Sequence, residues 1–178
     1  VESGVDLSDL PGWLKSVDLE GHERGEVPGH ILLERIAGAA ARPLDLAELH
    51  AQWISMFEPW DEMFALASGL KADYRVYLLS NIGDMHWAHL DTLYGLDTLV
   101  HGACASFRVG AIKPHADIYR KAESMFDLDP AATVFLDDLL SNVAGARDCG
   151  WHAIHHTDAG LTRSQLRALG VRLPAPFT

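Results

Sequence analysis

"TVFLDDLLSN", residues 133–142, is the stretch that decides how this chain folds. Val134, Phe135 and Leu136 form the continuous apolar run of a strand buried on both faces, and the run stops at two adjacent aspartates, Asp137 and Asp138. Two carboxylates side by side at a strand end repel each other, and taking them out of water demands a counter-charge. The next segment, "SNVAGARDCG" (141–150), reads as a helix closed by Gly150.

The same alternation runs outward from this point. "MFALASGLKA" (63–72) predicts a helix, "YRVYLLS" (74–80) a strand, "MHWAHLDTLYG" (85–95) a helix, and "TLVHGACAS" (98–106) contains a short strand. "ADIYRKAESMFD" (116–127) is a helix, "HAIHHT" (152–157) a strand, and "TRSQLRALG" (162–170) a last helix closed by Gly170. The tail "VRLPAPFT" (171–178) predicts an irregular surface segment. Strands that alternate with helices imply right-handed crossovers, hence an α/β fold with a Rossmann-like parallel sheet and helices on both faces. Residues 1–60 differ: "HILLERIAGAAA" (30–41) and "DLAELHAQWISMF" (45–57) have helical spacing, and no strand is legible there. The expected division is a small all-helical cap over residues 1–60 and the Rossmann-like core over 61–178.

Composition narrows the function. The chain has 178 residues, is 48% hydrophobic and 22% charged, and carries a formal net charge of −11. That is ample material for a single core, and the acidic balance leaves no basic footprint for nucleic acid or an anionic membrane. No apolar run reaches the ~18 residues that span a bilayer, and no signal-type segment opens the chain. The two cysteines, Cys104 and Cys149, sit in apolar or small-residue surroundings and read as free buried thiols of a reducing, cytoplasmic compartment.

In an open parallel sheet, ligands bind beyond the carboxyl ends of the strands. Those ends carry Ser80 with Asn81, the loop "FRVGAIKPHADIY" with Lys113, the pair Asp137–Asp138, and Thr157 with Asp158. Each has an ordinary structural reading as well: Asp138 suits the N-terminus of the following helix, "SN" suits a turn or a cap, and Lys-Pro suits a solvated loop. Trp13, Trp53 and Trp60 read as packing of the cap or of its junction with the core. Asp84, His86 and Trp87 read as facing the site's mouth. His152, His155 and His156 flank the last strand, one inward and two outward, without zinc-ligand spacing.

Taken together and in order, "VYLLSNIGD" (76–84), "VGAIKPHADIYRKA" (109–122) and "TVFLDDLLSNVAGARDCGW" (133–151) resemble the haloacid dehalogenase-like (HAD) hydrolase superfamily. Ser80 and Lys113 stand 33 residues apart, and Lys113 and Asp138 stand 25 apart, as that family's motifs do. "HERGEV" (22–27) resembles a stretch of its helical-cap branch, which includes soluble epoxide hydrolase N-terminal phosphatase domains and small sugar-phosphate phosphatases. A response-regulator receiver domain uses similar residues in another order, acids first and lysine last, and does not fit. The resemblance implies a Mg2+-dependent hydrolase of a small phosphorylated metabolite. Asp138 is then a direct Mg2+ ligand, and Asp137 binds the ion through water or orients its shell. Ser80 and the Asn81 backbone amide hydrogen-bond the phosphoryl oxygens, Lys113 neutralises them and holds the nucleophile, and Asn142 braces the acidic loop. Haloacid dehalogenation is a less favoured branch, since it has no need of a metal.

The family's nucleophile, an aspartate of a DxD motif ending a central first strand, has no counterpart in the sequence. "GVDLSDL" (4–10) places Asp6 and Asp9 three apart with no apolar strand before them, so Asp6 does not fit the role. Without that strand, the strands ending in Ser80 and Asp137 have unpaired inner edges. Three explanations are open: an N-terminal truncation, a degenerate member whose flanking strands pair directly, or a strand supplied by another chain. The opening Val1 and the intact Ser80, Lys113 and Asp137–Asp138 set favour truncation. The functional expectation is a phosphatase acting through a phospho-aspartate and inactive without that strand; the alternative is a non-catalytic phosphate- or partner-binding relative. Nothing in the sequence sets an oligomeric state.

Overall fold

The computed structural model describes residues 10–40 and 42–175. Helices come first: α1 (Leu10–Ser16), α2 (Leu19–Glu23), α3 (Gly29–Ala39), α4 (Leu46–Ile54) and α5 (Asp61–Leu70). Asp18 caps α2 by accepting from Gly21 N, and Asp45 caps α4 by accepting from Glu48 N. α1 to α4 bury one apolar cluster centred on Val17, Val27, Leu32, Leu33 and Ile36, with Trp13 and Trp53 packed on its edge.

The strands follow with helical crossovers. β1 (Leu78–Ser80) leads through α6 (Asp84–Tyr94) and α7 (Leu96–Leu99) to β2 (Ala103–Ala105). α8 (Ser106–Val109), α9 (Ala116–Phe126) and a 3-10 turn at Pro130–Ala132 lead to β3 (Val134–Asp137). α10 (Leu140–Asp148) connects to β4 (His152–His155), and α11 (Ala159–Ala168) closes the described chain. β1 pairs with β2 and β3 with β4, both in parallel, with Ser80 opposite Ala105 and Asp137 opposite His155. The largest core cluster packs Tyr119 of α9, Phe135 of β3 and Trp151 edge to face, at ring separations of 5.5–6.1 Å. Cys104 and Cys149 are buried free thiols, and burial pushes both up in pKa. No described helix is long and apolar enough to cross a membrane.

Most elements fall where the sequence pattern puts them, and Gly150 and Gly170 turn the chain with φ of +89° and +83° after the helices they close. Three differ. β1 starts at Leu78 rather than Tyr74, because the His101 ring intervenes: Val76 N donates to His101 Nδ1 at 3.1 Å, and His101 N returns a bond to Val76 O at 2.8 Å. α11 starts at Ala159, three residues early, because Asp158 accepts from Leu161 N at 2.7 Å and caps it there. α7 is a single turn within "LDTLV" that no periodicity announced.

Among the described residues the two strand pairs do not join into one sheet. Leu78 N donates to Gly102 O and His101 N to Val76 O, so the even-numbered residues of β1 turn their backbone groups toward β2. By alternation, Tyr77 and Leu79 turn theirs the other way. Thr133 O and Asp137 O accept from His152 N and His156 N, so Val134 and Leu136 likewise face away from β4. These four residues line a cleft of about 910 Å3 between β1 and β3, walled by Leu66 of α5 and Phe126 of α9. An apolar slot bordered by two open strand edges has the shape of a place for another strand.

Near the end of β3, α10 presses on the loop before α9. A Cβ on Gly145 would come within 2.4 Å of the Pro114 carbonyl oxygen and 3.1 Å of the Tyr119 hydroxyl. Gly145→Ala is expected to destabilise the fold by about 1–3 kcal/mol, read as a lower urea midpoint. An unchanged midpoint would mean that α10 does not approach this loop so closely.

Candidate active site

Ser80 ends β1 and Asp137 ends β3, and the two strand ends meet through Lys113, which Asn81 holds beside Ser80 and whose ammonium reaches Asp137. The loop before α9 brings in Lys113, whose Nζ donates to Asp137 Oδ2 at 2.6 Å with only 10% of the lysine and 5% of the aspartate side chain exposed. The other carboxylate oxygen of Asp137 accepts from Leu139 N and from Asn142 Nδ2, each at 2.9 Å. Both oxygens of Asp137 are therefore engaged by protein groups. Asp138 is the opposite case: it is exposed, and its carboxylate accepts no hydrogen bond from another described residue. His155 Nε2 lies 2.9 Å from the Asp138 carbonyl oxygen and fixes the backbone instead. The helix-capping reading of Asp138 is corrected here, because α10 has no side-chain cap from it and the first-turn amide of Leu139 turns to Asp137.

Lys113 is positioned by a clasp that the sequence does not announce. Asn81 Nδ2 donates to Lys113 O at 2.9 Å, and Lys113 N donates to Asn81 Oδ1 at 2.7 Å. One side chain thus satisfies both backbone groups of the residue whose ammonium enters the site. Ser106, fully buried just after β2, repeats the device: its Oγ accepts from Ile82 N at 2.9 Å and donates to Ile82 O at 3.1 Å. A polar residue closing the apolar "ACA" run, the same signal that singled out Ser80, would have found it. On the far side, Tyr119 donates to Asn142 O at 2.7 Å, and burial pushes its phenol above the ordinary range. Asn142, Tyr119 and Lys113 so form one connected support around Asp137.

The helical layer reaches the same edge through α2. His22 is buried, with Nδ1 2.9 Å from Val27 O and Nε2 without a hydrogen-bond partner. Its ring lies against Gly83, where a Cβ would sit 1.9 Å from Nε2, so only glycine fits in the turn after β1. Asp84 accepts from Gly29 N at 3.3 Å and holds α3 to the start of α6. Burial raises the pKa of the neighbouring Glu23 carboxyl, against the opposing pull of His22 and Lys113.

His86 and Trp87 were expected at the mouth, but both side chains are buried. His86 stacks on Trp53 at 5.2 Å, its Nε2 lies 2.7 Å from Trp53 O, and burial lowers its pKa. Trp87 packs in the cluster of Ile82, Leu96 and Ala105. Of the late histidines, His156 is the inward one: its ring nitrogen Nδ1 meets Thr162 Oγ1 at 2.6 Å. Trp60 is 45% exposed, and its ring packs on the buried His156 at 4.2 Å. Asp6 and Asp9 lie outside the described residues.

The Asn81 clasp makes a direct prediction. Asn81→Ala leaves the Lys113 N–H and C=O unpaired and is expected to reduce stability by about 1–3 kcal/mol, measured by urea denaturation. A variant as stable as the parent would show that the Lys113 loop is held by something else.

With this geometry in hand, known proteins fall into place. Residues 11–150 match the haloacid dehalogenase-like hydrolase family. The sesquiterpene phosphatase astK of Aspergillus oryzae is 29% identical over 171 residues, covering 95% of this chain and 87% of that protein. The D-ribitol-5-phosphate phosphatase of Bacteroides thetaiotaomicron is 23% identical over 154 residues, 83% of this chain and 75% of that protein. Among solved structures, a HAD family enzyme of Bacteroides thetaiotaomicron shares the fold with a TM-score of 0.78 at 22% identity, covering 92% of this chain and 83% of that one. The family match takes in every strand but the last and all of the loops that carry Ser80, Lys113 and Asp137–Asp138. The chain belongs to the haloacid dehalogenase-like hydrolases, a family in which its named relatives are phosphatases.

Proposed function

We propose that this chain carries the phosphate-binding and metal-binding side of a Mg2+-dependent phosphomonoesterase, with the nucleophilic aspartate arriving on a strand that fills the cleft between β1 and β3. The observation that supports this most is the Lys113–Asp137 contact, one residue beyond Leu136 of the cleft wall. A strand lying in the slot and parallel to its neighbours would deliver its C-terminal residue beside the Lys113 ammonium and the Ser80 hydroxyl.

The roles follow from charge. Lys113 neutralises the phosphoryl oxygens as charge shifts toward them, and Ser80 and the Asn81 amide hydrogen-bond them in place. The strand's carboxylate attacks phosphorus, the bond to the alcohol oxygen breaks, and an acid group supplies the departing alcohol with its proton. Water then cleaves the phospho-aspartate. Asp137, buried and doubly anchored, keeps Lys113 aimed, while Asn142 keeps Asp137 aimed. Helices α1 to α4 act as the cap that covers the strand ends and excludes water.

Mg2+ fits the donor set in a limited way. Among the described residues no three His, Cys, Asp or Glu side chains converge, but Mg2+ commonly takes one or two carboxylates together with waters and substrate phosphate. Asp138 would hold it, with Asp137 behind, and the ion would supply further positive charge to the phosphoryl group. The Bacteroides thetaiotaomicron neighbour has been solved with magnesium and with magnesium plus inorganic phosphate, the latter also as an aspartate-to-alanine variant. Its example makes phosphate binding a reasonable readout even where one aspartate is missing. The relatives' names bracket the substrate between a terpenoid and a polyol phosphate. A non-catalytic phosphate-binding role is the second reading, favoured by the absence of a strand between β1 and β3 among the described residues.

The test is an assay with a generic phosphomonoester and Mg2+. The 178-residue chain is expected to be inactive, and a version extended by an apolar strand ending in Asp-x-Asp is expected to turn over. Lys113→Ala in the extended form should lose at least a thousandfold in kcat/KM. Robust turnover by the 178-residue chain that disappears in Asp138→Ala would overturn the nucleophile's assignment to the cleft strand. An extended form that binds phosphate but never hydrolyses the ester would favour the second reading.

A further inference from the structure

Glu23, the last residue of α2, is half-buried, and its carboxylate has no hydrogen bond or ion pair with another described residue. The groups that could have served it are taken. The Arg24 guanidinium goes to Glu20 at 2.9 Å, His22 Nδ1 meets Val27 O at 2.9 Å, and the Lys113 ammonium is paired with Asp137. A helix C-terminus, with its free carbonyls, is also the wrong end for a negative charge. Burial accordingly holds the Glu23 carboxyl above its ordinary range, while His22 and Lys113 pull against it. Polar groups removed from water are paired in native folds, and local rules are broken chiefly at functional sites.

The segment around Glu23 is seated on both loops of the site. On one side of it the His22 ring lies against Gly83, two residues past Asn81. On the other, Gly25 has a φ of +76°, and a Cβ there would come within 2.2 Å of Phe107 O in α8. The Arg24 carbonyl stands 4.0 Å from where a Cβ on Gly110 would be, three residues before Lys113. Held between these contacts, the Glu23 carboxylate lies in the field of the Lys113 ammonium. Resting on the phosphate-site reading above, we propose that Glu23 is a specificity-determining residue that accepts a hydrogen bond from a hydroxyl on the alcohol part of the substrate. The substrate class is then a phosphate monoester of a hydroxylated alcohol. A hydroxyl gives the carboxylate the charge-assisted bond it lacks. A plain alkyl ester leaves it unpaired beside a second negative group, and an ammonium would meet the charge of Lys113.

The test is binding, which needs no turnover. Glycerol 3-phosphate, n-propyl phosphate and inorganic phosphate are titrated by calorimetry into the 178-residue chain with Mg2+; the two esters share a carbon chain and differ only in hydroxyls. Glycerol 3-phosphate is expected to bind at least tenfold tighter than propyl phosphate. In Glu23→Leu that preference should fall below about threefold, while inorganic phosphate binds at least as tightly as in the parent, since a negative charge facing the anion is gone. Glu23→Gln, the milder change, should lower the preference in the same direction without weakening inorganic phosphate. A residue that only supports the fold would weaken all of these ligands together. Equal affinity for the two esters in the parent, a preference that survives both substitutions, or a parallel loss for every ligand overturns the role of Glu23 while the phosphate site stands. If inorganic phosphate fails to bind the parent chain, the phosphate-site reading fails and takes the role of Glu23 with it.

Discussion

The contact between Lys113 and Asp137 holds this molecule together in a place where its sheet does not. β1 and β2 form one parallel pair, β3 and β4 another, and no described strand bridges them. Lys113 belongs to the first pair, because Asn81 at the exit of β1 grips its backbone at both the N–H and the C=O. Asp137 belongs to the second as the last residue of β3. Their 2.6 Å ion pair, almost wholly removed from water, ties the two halves at their C-terminal ends. Removing one partner of such a pair costs about 3–5 kcal/mol, since the other is left as a buried charge. The Tyr119–Asn142 bond and the close seating of Gly145 on Pro114 reinforce the same junction from α9 and α10.

That junction is also where the proposed chemistry lies. The lysine that bridges the halves stands at the strand ends, and the aspartate that receives it accepts two further hydrogen bonds, from Leu139 N and Asn142 Nδ2. The adjacent Asp138, exposed and without a protein partner for its carboxylate among the described residues, is the group left open for a ligand. Two neighbours in sequence have thus been given opposite tasks by alternation along β3: Asp137 turns inward to the support, and Asp138 turns outward to solvent. The repulsion implied by adjacent aspartates is resolved by separating them and giving one of them Lys113.

Much of this was legible in the residues. Apolar runs ending in Ser80 and Asp137, helices closed by Gly150 and Gly170, and the Lys-Pro before α9 mark the elements because they are local signals of burial, turning and termination. The unreadable parts were long-range. The Asn81 side chain bonds a residue 32 positions away, and Ser106 one 24 away, which no local pattern reports. β1 is shortened by the ring of His101, and His22 is seated by the missing side chain of Gly83. His86 and Trp87 misled because both are covered: Trp87 packs in the cluster of Ile82, Leu96 and Ala105, and His86 lies under Trp53 and Phe57.

The central claim is that the end of this cleft is a phosphate site in which Asp138 holds the metal. Titrating inorganic phosphate into the purified chain with and without Mg2+, and into Asp138→Asn, tests it most directly, because Asp138 supports no contact of the fold through its carboxylate. The account predicts saturable binding that requires Mg2+, vanishes on chelation and weakens at least tenfold in Asp138→Asn without a change in melting temperature. Phosphate binding that is indifferent to both the metal and Asp138 would contradict it.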